Sequence, residues 1–241
     1  MCLYTMTLTM CLFPDITQAF IFDVDGTLYD QGKLRRRMVW ELLCHLVTKH
    51  RFVRDIHVLY AFRERREILS RDNDDIGCLE NCQYAGVAHE LGMSIEEVRR
   101  IINDWIYEKP LKHLAACIYP GIRDLFALLI KNRIKIGIFS EYPCCAKLEA
   151  LGLSADAMVC ATEKEVDRFK PHPKGLLLTA DRLGVPVMNC FFIGDRDDKD
   201  GECARRAGMP YFILTRRHLS TADLYQKVTM LISKSNGERF H

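Results

Sequence analysis

The sequence predicts an α/β fold: a doubly wound parallel sheet that carries an inserted, purely helical segment. Five short apolar runs, at 19–22, 134–139, 157–160, 190–193 and 211–214, have the length and composition of strands buried on both faces. Helical patterns at 122–131, 145–151, 174–183, 201–207 and 221–233 alternate with them, and such alternation gives a parallel sheet sandwiched by helices. Between about 31 and 115 the alternation stops, because four helical patterns occur there and no strand-like run does.

The chain opens on MCLYTMTLTMCLFPDITQ, which is apolar but lacks the basic leading region of a secretory signal and is shorter than a bilayer span. Residues 1–18 therefore read as an N-terminal extension. The first strand follows in AFIFDVDGT, an apolar run ending in acids and a glycine. Within 31–115, Leu34, Met38, Leu42 and Leu46 recur at a spacing of four, and Val98, Ile101, Ile102 and Trp105 make a second apolar stripe. Ser94 and Glu97 form a capping-box pattern that opens the helix carrying that second stripe. YPGIRDLFALL, from Tyr119, returns the chain to the alternating core.

Of 241 residues, 27% are charged and 49% hydrophobic, which describes an ordinary folded domain of sufficient length for a core plus an insertion. A net charge of +2 provides no broad field for a nucleic-acid backbone or an anionic membrane, so neither partner is expected. The eleven cysteines are scattered and odd in number, which points to reduced thiols and a cytoplasmic location rather than a disulfide framework.

Polar clusters fall just beyond the strands, where open α/β sheets bind their ligands. Asp23 and Asp25 follow the first run, Ser140 ends the second, Lys170 comes after the third, and Asp195, Asp197, Asp198 and Asp200 follow the fourth. Carboxylates crowded at one sheet edge repel one another unless a cation or a proton relieves them. A hard divalent ion is the simplest relief, and Mg²⁺ favours carboxylates combined with phosphate oxygens.

With DVDGT at 23–27, IGIFSEYP ending the second strand, RFKPHP around Lys170 and GDRDDKDGECARRAGM from 194, the chain resembles the haloacid dehalogenase-like hydrolases, in the phosphatase branch with a helical cap between the first and second motifs. The resemblance runs from Ala19 to about Leu214 and rests on four motifs in order. It implies a Rossmann-like core formed by 19–30 and 116–241, with 31–115 as the cap. It also implies that Asp23 is the nucleophile that becomes an aspartyl phosphate, and that Asp25 is the general acid and then the base. A dehalogenase of the superfamily would lack the second Asp. Ser140 then binds the transferring phosphoryl group, and Lys170 neutralises its charge and restrains Asp23. Mg²⁺ is held by Asp23, the backbone carbonyl of Asp25, Asp195 and Asp200, whereas Asp197 and Asp198 sit at less constrained spots. One position departs from the pattern: Glu141 stands where many relatives carry Asn.

Other features are read as structural. Cys78, Cys82 and His89 lack the paired spacing of a zinc site. Asp72 to Asp75 with Gly77 has Ile76 at the fifth and Gln83 at the twelfth position of a calcium loop, where an oxygen ligand and an acid belong. The arginines at 35–37 and at 63, 65 and 66 are expected on solvated helix faces, with Glu64 and Glu67 as partners of the second group.

The expected function is thus a Mg²⁺-dependent phosphomonoesterase acting on a small phosphorylated metabolite. The alternatives are a phosphomutase of the same superfamily and a non-catalytic binding module. Substrate and oligomeric state are left open by the sequence.

Overall fold

The computed structural model describes residues 17–48, 52–71 and 78–214. Its five strands are β1 (Ala19–Phe22), β2 (Lys135–Ser140), β3 (Ala157–Cys160), β4 (Cys190–Gly194) and β5 (Tyr211–Ile213). All neighbouring pairs are parallel, in the order β3-β2-β1-β4-β5. The doubly wound fold predicted from the alternating runs is therefore the fold observed, with strand ends within one residue of expectation. The pairing begins just before β1: the amide of Gln18 donates to Asn189 O at 2.8 Å, and its carbonyl accepts from the Lys135 amide at 3.0 Å. The extension up to residue 16, the helix expected at 221–233 and the rejected calcium loop at 72–77 lie outside the described residues.

The helices of the inserted segment are α1 (Gln31–Thr48), α2 (Phe52–Arg71), α3 (Leu79–Leu91), α4 (Ile95–Ile102) and the short α5 (Leu111–Leu114). They are followed by α6 (Ile122–Lys131), α7 (Cys145–Leu151), α8 (Lys174–Leu183) and α9 (Glu202–Ala207) around the sheet. Two π-helical turns interrupt the pattern: Asn103–Glu108 extends α4, and Asp197–Gly201 precedes α9. The second explains why the helix expected from 201 begins at Glu202.

Period-2 alternation sorts the strand residues onto two cores. Phe20, Phe22, Ile136, Ile138, Phe191 and Ile193 pack with α6 and α7 on one face. Ala19, Ile21, Phe139, Val159, Cys190 and Phe192 pack with α8 and α9 on the other. A third core lies within the insertion, where Val58, Ala61 and Phe62 of α2 meet Tyr84, Val87 and Ala88 of α3 and the expected stripe of Val98, Ile101, Ile102 and Trp105. Met38 and Leu42 from α1 pack against it.

Ser94 caps α4 as its pattern predicts, since Oγ accepts from the Glu97 amide at 3.2 Å. The reciprocal half of the box is replaced, because the Glu97 carboxylate pairs with Arg54 instead. One expectation is corrected outright. Arg66 is buried rather than solvated, with its guanidinium 4.0 Å from the Tyr142 ring and 4.3 Å from that of Phe169. Aromatic faces distant in the sequence replace the solvent that a local charge pattern suggests.

The eight described cysteines are free thiols. Burial pushes Cys144 and Cys203 up to about 12 and Cys190 up to about 11, while Cys78 and Cys145 are exposed. Because thiolate is the reactive form, brief treatment with iodoacetamide at neutral pH should label Cys78 and Cys145, with Cys144, Cys190 and Cys203 labelled only after denaturation. Peptide mass spectrometry checks this, and early labelling of Cys144 beside unlabelled Cys145 would contradict it.

Candidate active site

Asp23 is the first residue beyond β1, and its amide still donates to Ile193 O of β4 at 2.9 Å, so the sheet itself fixes its backbone. Gly26 lets the chain turn back beneath it. Its φ of +99° disfavours an L side chain, and a Cβ there would collide with the Asp195 carboxylate. Gly194 serves similarly at the end of β4, where a Cβ would meet Asp200 Cβ at 2.5 Å.

Lys170 ties this edge together. Its Nζ donates to Asp23 Oδ1 and to Asp200 Oδ1, each at 2.7 Å, and the side chain is fully enclosed. Asp23 Oδ2 accepts from Thr27 Oγ1 at 3.2 Å. Asp200 Oδ2 accepts from the amides of Asp195 and Arg196 at 3.1 and 3.0 Å, so the π-helical turn delivers this carboxylate back to its own loop. Asp23, Asp195 and Asp200 each place a carboxylate oxygen within 4.8 Å of the others.

Asp25 belongs to a second group. Lys147 of α7 reaches both of its oxygens, at 2.6 and 2.7 Å, and Tyr29 Oη also donates to Oδ1. Ser140 closes β2 with no solvent exposure, and its Oγ accepts from the Tyr142 amide at 3.2 Å. Glu141 turns its carboxylate to Lys199 Nζ at 3.5 Å, so its added charge faces a cation. Asp197 and Asp198 are exposed and pair with Arg205 and Arg196.

The electrostatics differ between the two carboxylates of DVDGT. Burial, together with Asp200, Asp195 and Asp25, raises Asp23 well above the usual carboxylate range, against the pull of Lys170. Burial likewise works upward on Asp25, but the Lys147 ammonium and the hydrogen bonds from Lys147 and Tyr29 outweigh it and leave it below that range. Asp195 is pushed up to about 7 by burial and by Asp200. Burial alone would depress Lys170, yet Asp200 and Asp23 hold it above an ordinary lysine. With all four carboxylates ionised against two ammonium groups, two negative charges would remain for a divalent cation to match. The donor set, all carboxylate oxygen, suits a hard ion such as Mg²⁺.

A family model described as haloacid dehalogenase-like hydrolase matches residues 17–208. The chain belongs to this family. Among curated relatives of this haloacid dehalogenase-like chain, phosphoglycolate phosphatase of Escherichia coli is 31% identical over 126 residues, which cover 48% of this chain and 50% of that protein. The match therefore spans about half the length of that relative. N-acetylmuramic acid 6-phosphate phosphatase of Pseudomonas aeruginosa is 28% identical over 198 residues, covering 79% of this chain and 78% of that protein. The crystal structure of a 2-haloacid dehalogenase from Pseudomonas syringae superposes with a TM-score of 0.59 at 18% identity, covering 89% of this chain and 99% of that one. At that identity the likeness shows the shared fold.

Sequence reasoning missed Lys147 and Tyr29, the partners of Asp25. Tyr29 stands four residues after Asp25, a visible signal, whereas Lys147 is 122 residues away and reads as one more helix cation. Removing one partner of a buried ion pair strands the other charge, so Lys147→Met should destabilise the fold by about 3 kcal/mol. Urea unfolding measures it, and adding Asp25→Asn should recover part of the loss if the two residues are coupled. A loss under about 0.5 kcal/mol is what a solvated surface pair would show.

Proposed function

We propose that the chain is a Mg²⁺-dependent phosphomonoesterase that acts on a small phosphorylated metabolite through an aspartyl phosphate on Asp23. The observation that carries this reading is the meeting of Asp23, Lys170, Asp195 and Asp200 at one sheet edge, with a second carboxylate, Asp25, held separately by Lys147. Phosphoryl transfer needs positioning and charge neutralisation more than covalent chemistry, and this edge offers both.

In the first half-reaction an oxygen of Asp23 bonds to phosphorus as the bond to the leaving oxygen breaks, and Asp25 gives that oxygen its proton. In the second half-reaction Asp25 takes a proton from water, whose oxygen displaces the Asp23 carboxylate and frees inorganic phosphate. Lys170 stands against Asp23, where it restrains the carboxylate and offsets charge on the phosphoryl group, and Ser140 donates to a phosphoryl oxygen. The carboxylates of Asp23, Asp195 and Asp200 and the backbone carbonyl of Asp25 are the groups that would hold Mg²⁺. When bound, the ion supplies positive charge to the phosphoryl oxygens.

Residues 31–115 serve as a cap over the core, with leaving-group selection as their task. The two curated relatives, named for a phosphorylated small acid and a phosphorylated amino-sugar acid, support a metabolite-sized substrate. No helix among the described residues is long and apolar enough to cross a membrane. Eight free thiols support a reducing, cytoplasmic setting.

Hydrolysis of a generic aryl phosphate should require Mg²⁺ and cease in excess chelator; undiminished turnover there would overturn the metal assignment. Asp23→Asn, nearly isosteric, should keep the fold but lose on the order of 10³-fold or more in kcat. Phosphate release by that variant near the wild-type rate would instead place direct attack by water in the mechanism. Asp25→Asn should lose about 10²- to 10⁴-fold for alkyl phosphates. Its kcat/KM should fall less for an aryl phosphate, whose leaving group needs no proton.

A further inference from the structure

The C-terminal half of α2 does more than cover the sheet. Leu69 packs into the same core cluster as Ile21, Phe139 and Phe192, so this end of the insertion is docked on the sheet's own core. Around that anchor, three neighbouring polar side chains of α2 reach the loops that carry the candidate site. Arg66 Nη2 donates to Glu141 O at 2.7 Å, immediately beyond Ser140. Ser70 Oγ donates to the backbone carbonyl of Lys170 at 2.6 Å, and both groups are buried. Glu67 Oε1 accepts from Lys199 Nζ at 3.1 Å and from Arg196 Nη1 at 3.2 Å, the residues that precede Asp200 and follow Asp195. Lys199 is itself buried and also faces Glu141 at 3.5 Å.

One helix therefore touches the loops after β2, β3 and β4 at the residues flanking Ser140, Lys170, Asp195 and Asp200. We propose that Glu67 and Arg66 are positioning residues for the reaction proposed above: Glu67 braces the loop carrying Asp195 and Asp200, and Arg66 braces the loop carrying Ser140. This rests on the phosphomonoesterase reading for the chemistry, but the bracing itself does not.

Three physical points favour it. Arg66 meets carbonyl acceptors and aromatic faces, its guanidinium seated between Tyr142 of one loop and Phe169 beside Lys170 of another. Its planar fork bonds Gln83 of α3 and Glu141 O while its face stacks on both rings, a combination a flexible ammonium would not give. Glu67 bridges two cations at once, and networks hold geometry better than isolated surface pairs. Finally, groups outside the ligand sphere orient ligating carboxylates, and their loss commonly weakens metal binding by about 10- to 100-fold. Since Glu67 is half exposed, the low end of that range applies.

If the insertion only selects substrates, changing it alters preference and leaves metal binding alone; if α2 braces the loops, the reverse holds. Mg²⁺ is titrated by calorimetry into wild type and Glu67→Gln, without substrate, and the thermal midpoint of each metal-free protein is recorded. The expected result for Glu67→Gln is Mg²⁺ affinity about tenfold weaker, a midpoint within a few degrees of wild type, and the same fractional loss of kcat/KM on a small aryl phosphate as on larger phosphate esters. Arg66→Lys should leave Mg²⁺ affinity near wild type and weaken inhibition by inorganic phosphate severalfold. Unchanged Mg²⁺ affinity in Glu67→Gln, or losses confined to larger substrates, overturns the brace. Should wild type bind Mg²⁺ but hydrolyse no phosphate ester, the functional reading fails while the calorimetric comparison still decides the brace.

Discussion

The buried contact of Lys170 with Asp23 and Asp200 is the constraint around which this molecule is organised. An ammonium with no solvent exposure costs several kcal/mol in lost hydration, and returns it only when its carboxylates are held at good geometry. Meeting that condition requires three segments far apart in the chain to end at one place. β1 delivers Asp23, the excursion after β3 delivers Lys170, and β4 with its π-helical turn delivers Asp200. A parallel sheet with its strand order reversing at β1 does this, because consecutive crossovers leave the carboxyl ends of β1, β2 and β4 side by side. With Asp195 counted beside this contact, three acids share one ammonium, so an arrangement that satisfies folding also gathers carboxylates whose repulsion a divalent cation would relieve.

The second organising feature is the separation of Asp23 from Asp25. Only Val24 parts them in the chain, yet they have different cations: Lys170 from the loop side and Lys147 from α7. Burial acts upward on both, and the local partners decide the outcome, with Asp23 raised among three other acids and Asp25 lowered by a dedicated ion pair. Environments that push neighbouring carboxylates apart are how one motif supports two roles. Here the lowered group is the one that both gives a proton in the proposed first half-reaction and takes one from water in the second, and the raised group is the proposed nucleophile.

Much of the fold could be read from the sequence because strands buried on both faces leave unmistakable apolar runs, and α6, α7 and α8 begin and end at their expected residues. The candidate site residues stand out for a related reason: acids, a serine and a lysine follow those runs, where strand and helix patterns do not call for them. What could not be read lies in contacts between elements. Glu64 and Glu67 beside Arg66 suggest a solvated face, and local charge pattern cannot register Tyr142 or Phe169. The Ser94 cap forms while its Glu97 half is diverted to Arg54 of another helix, a choice that only tertiary packing makes. Both π-helical turns likewise arise where side chains are drawn to distant partners, and helical periodicity carries no mark of them.

Glu141 shows how such contacts bear on chemistry. Beside a serine proposed to meet phosphate, an acid is costly if its charge faces the substrate. Its carboxylate instead turns to Lys199, whose other acceptor is Glu67 on the insertion. Acid, ammonium and acid form one line from the loop after β2, through the loop after β4, to α2. The acid at Glu141 is thus offset by a lysine from another loop, which it shares with Glu67. Loss of Lys199 would leave the two acids facing each other between Ser140 and Asp200, and that dependence binds the insertion and the sheet into a single electrostatic unit rather than a core with a detachable cover.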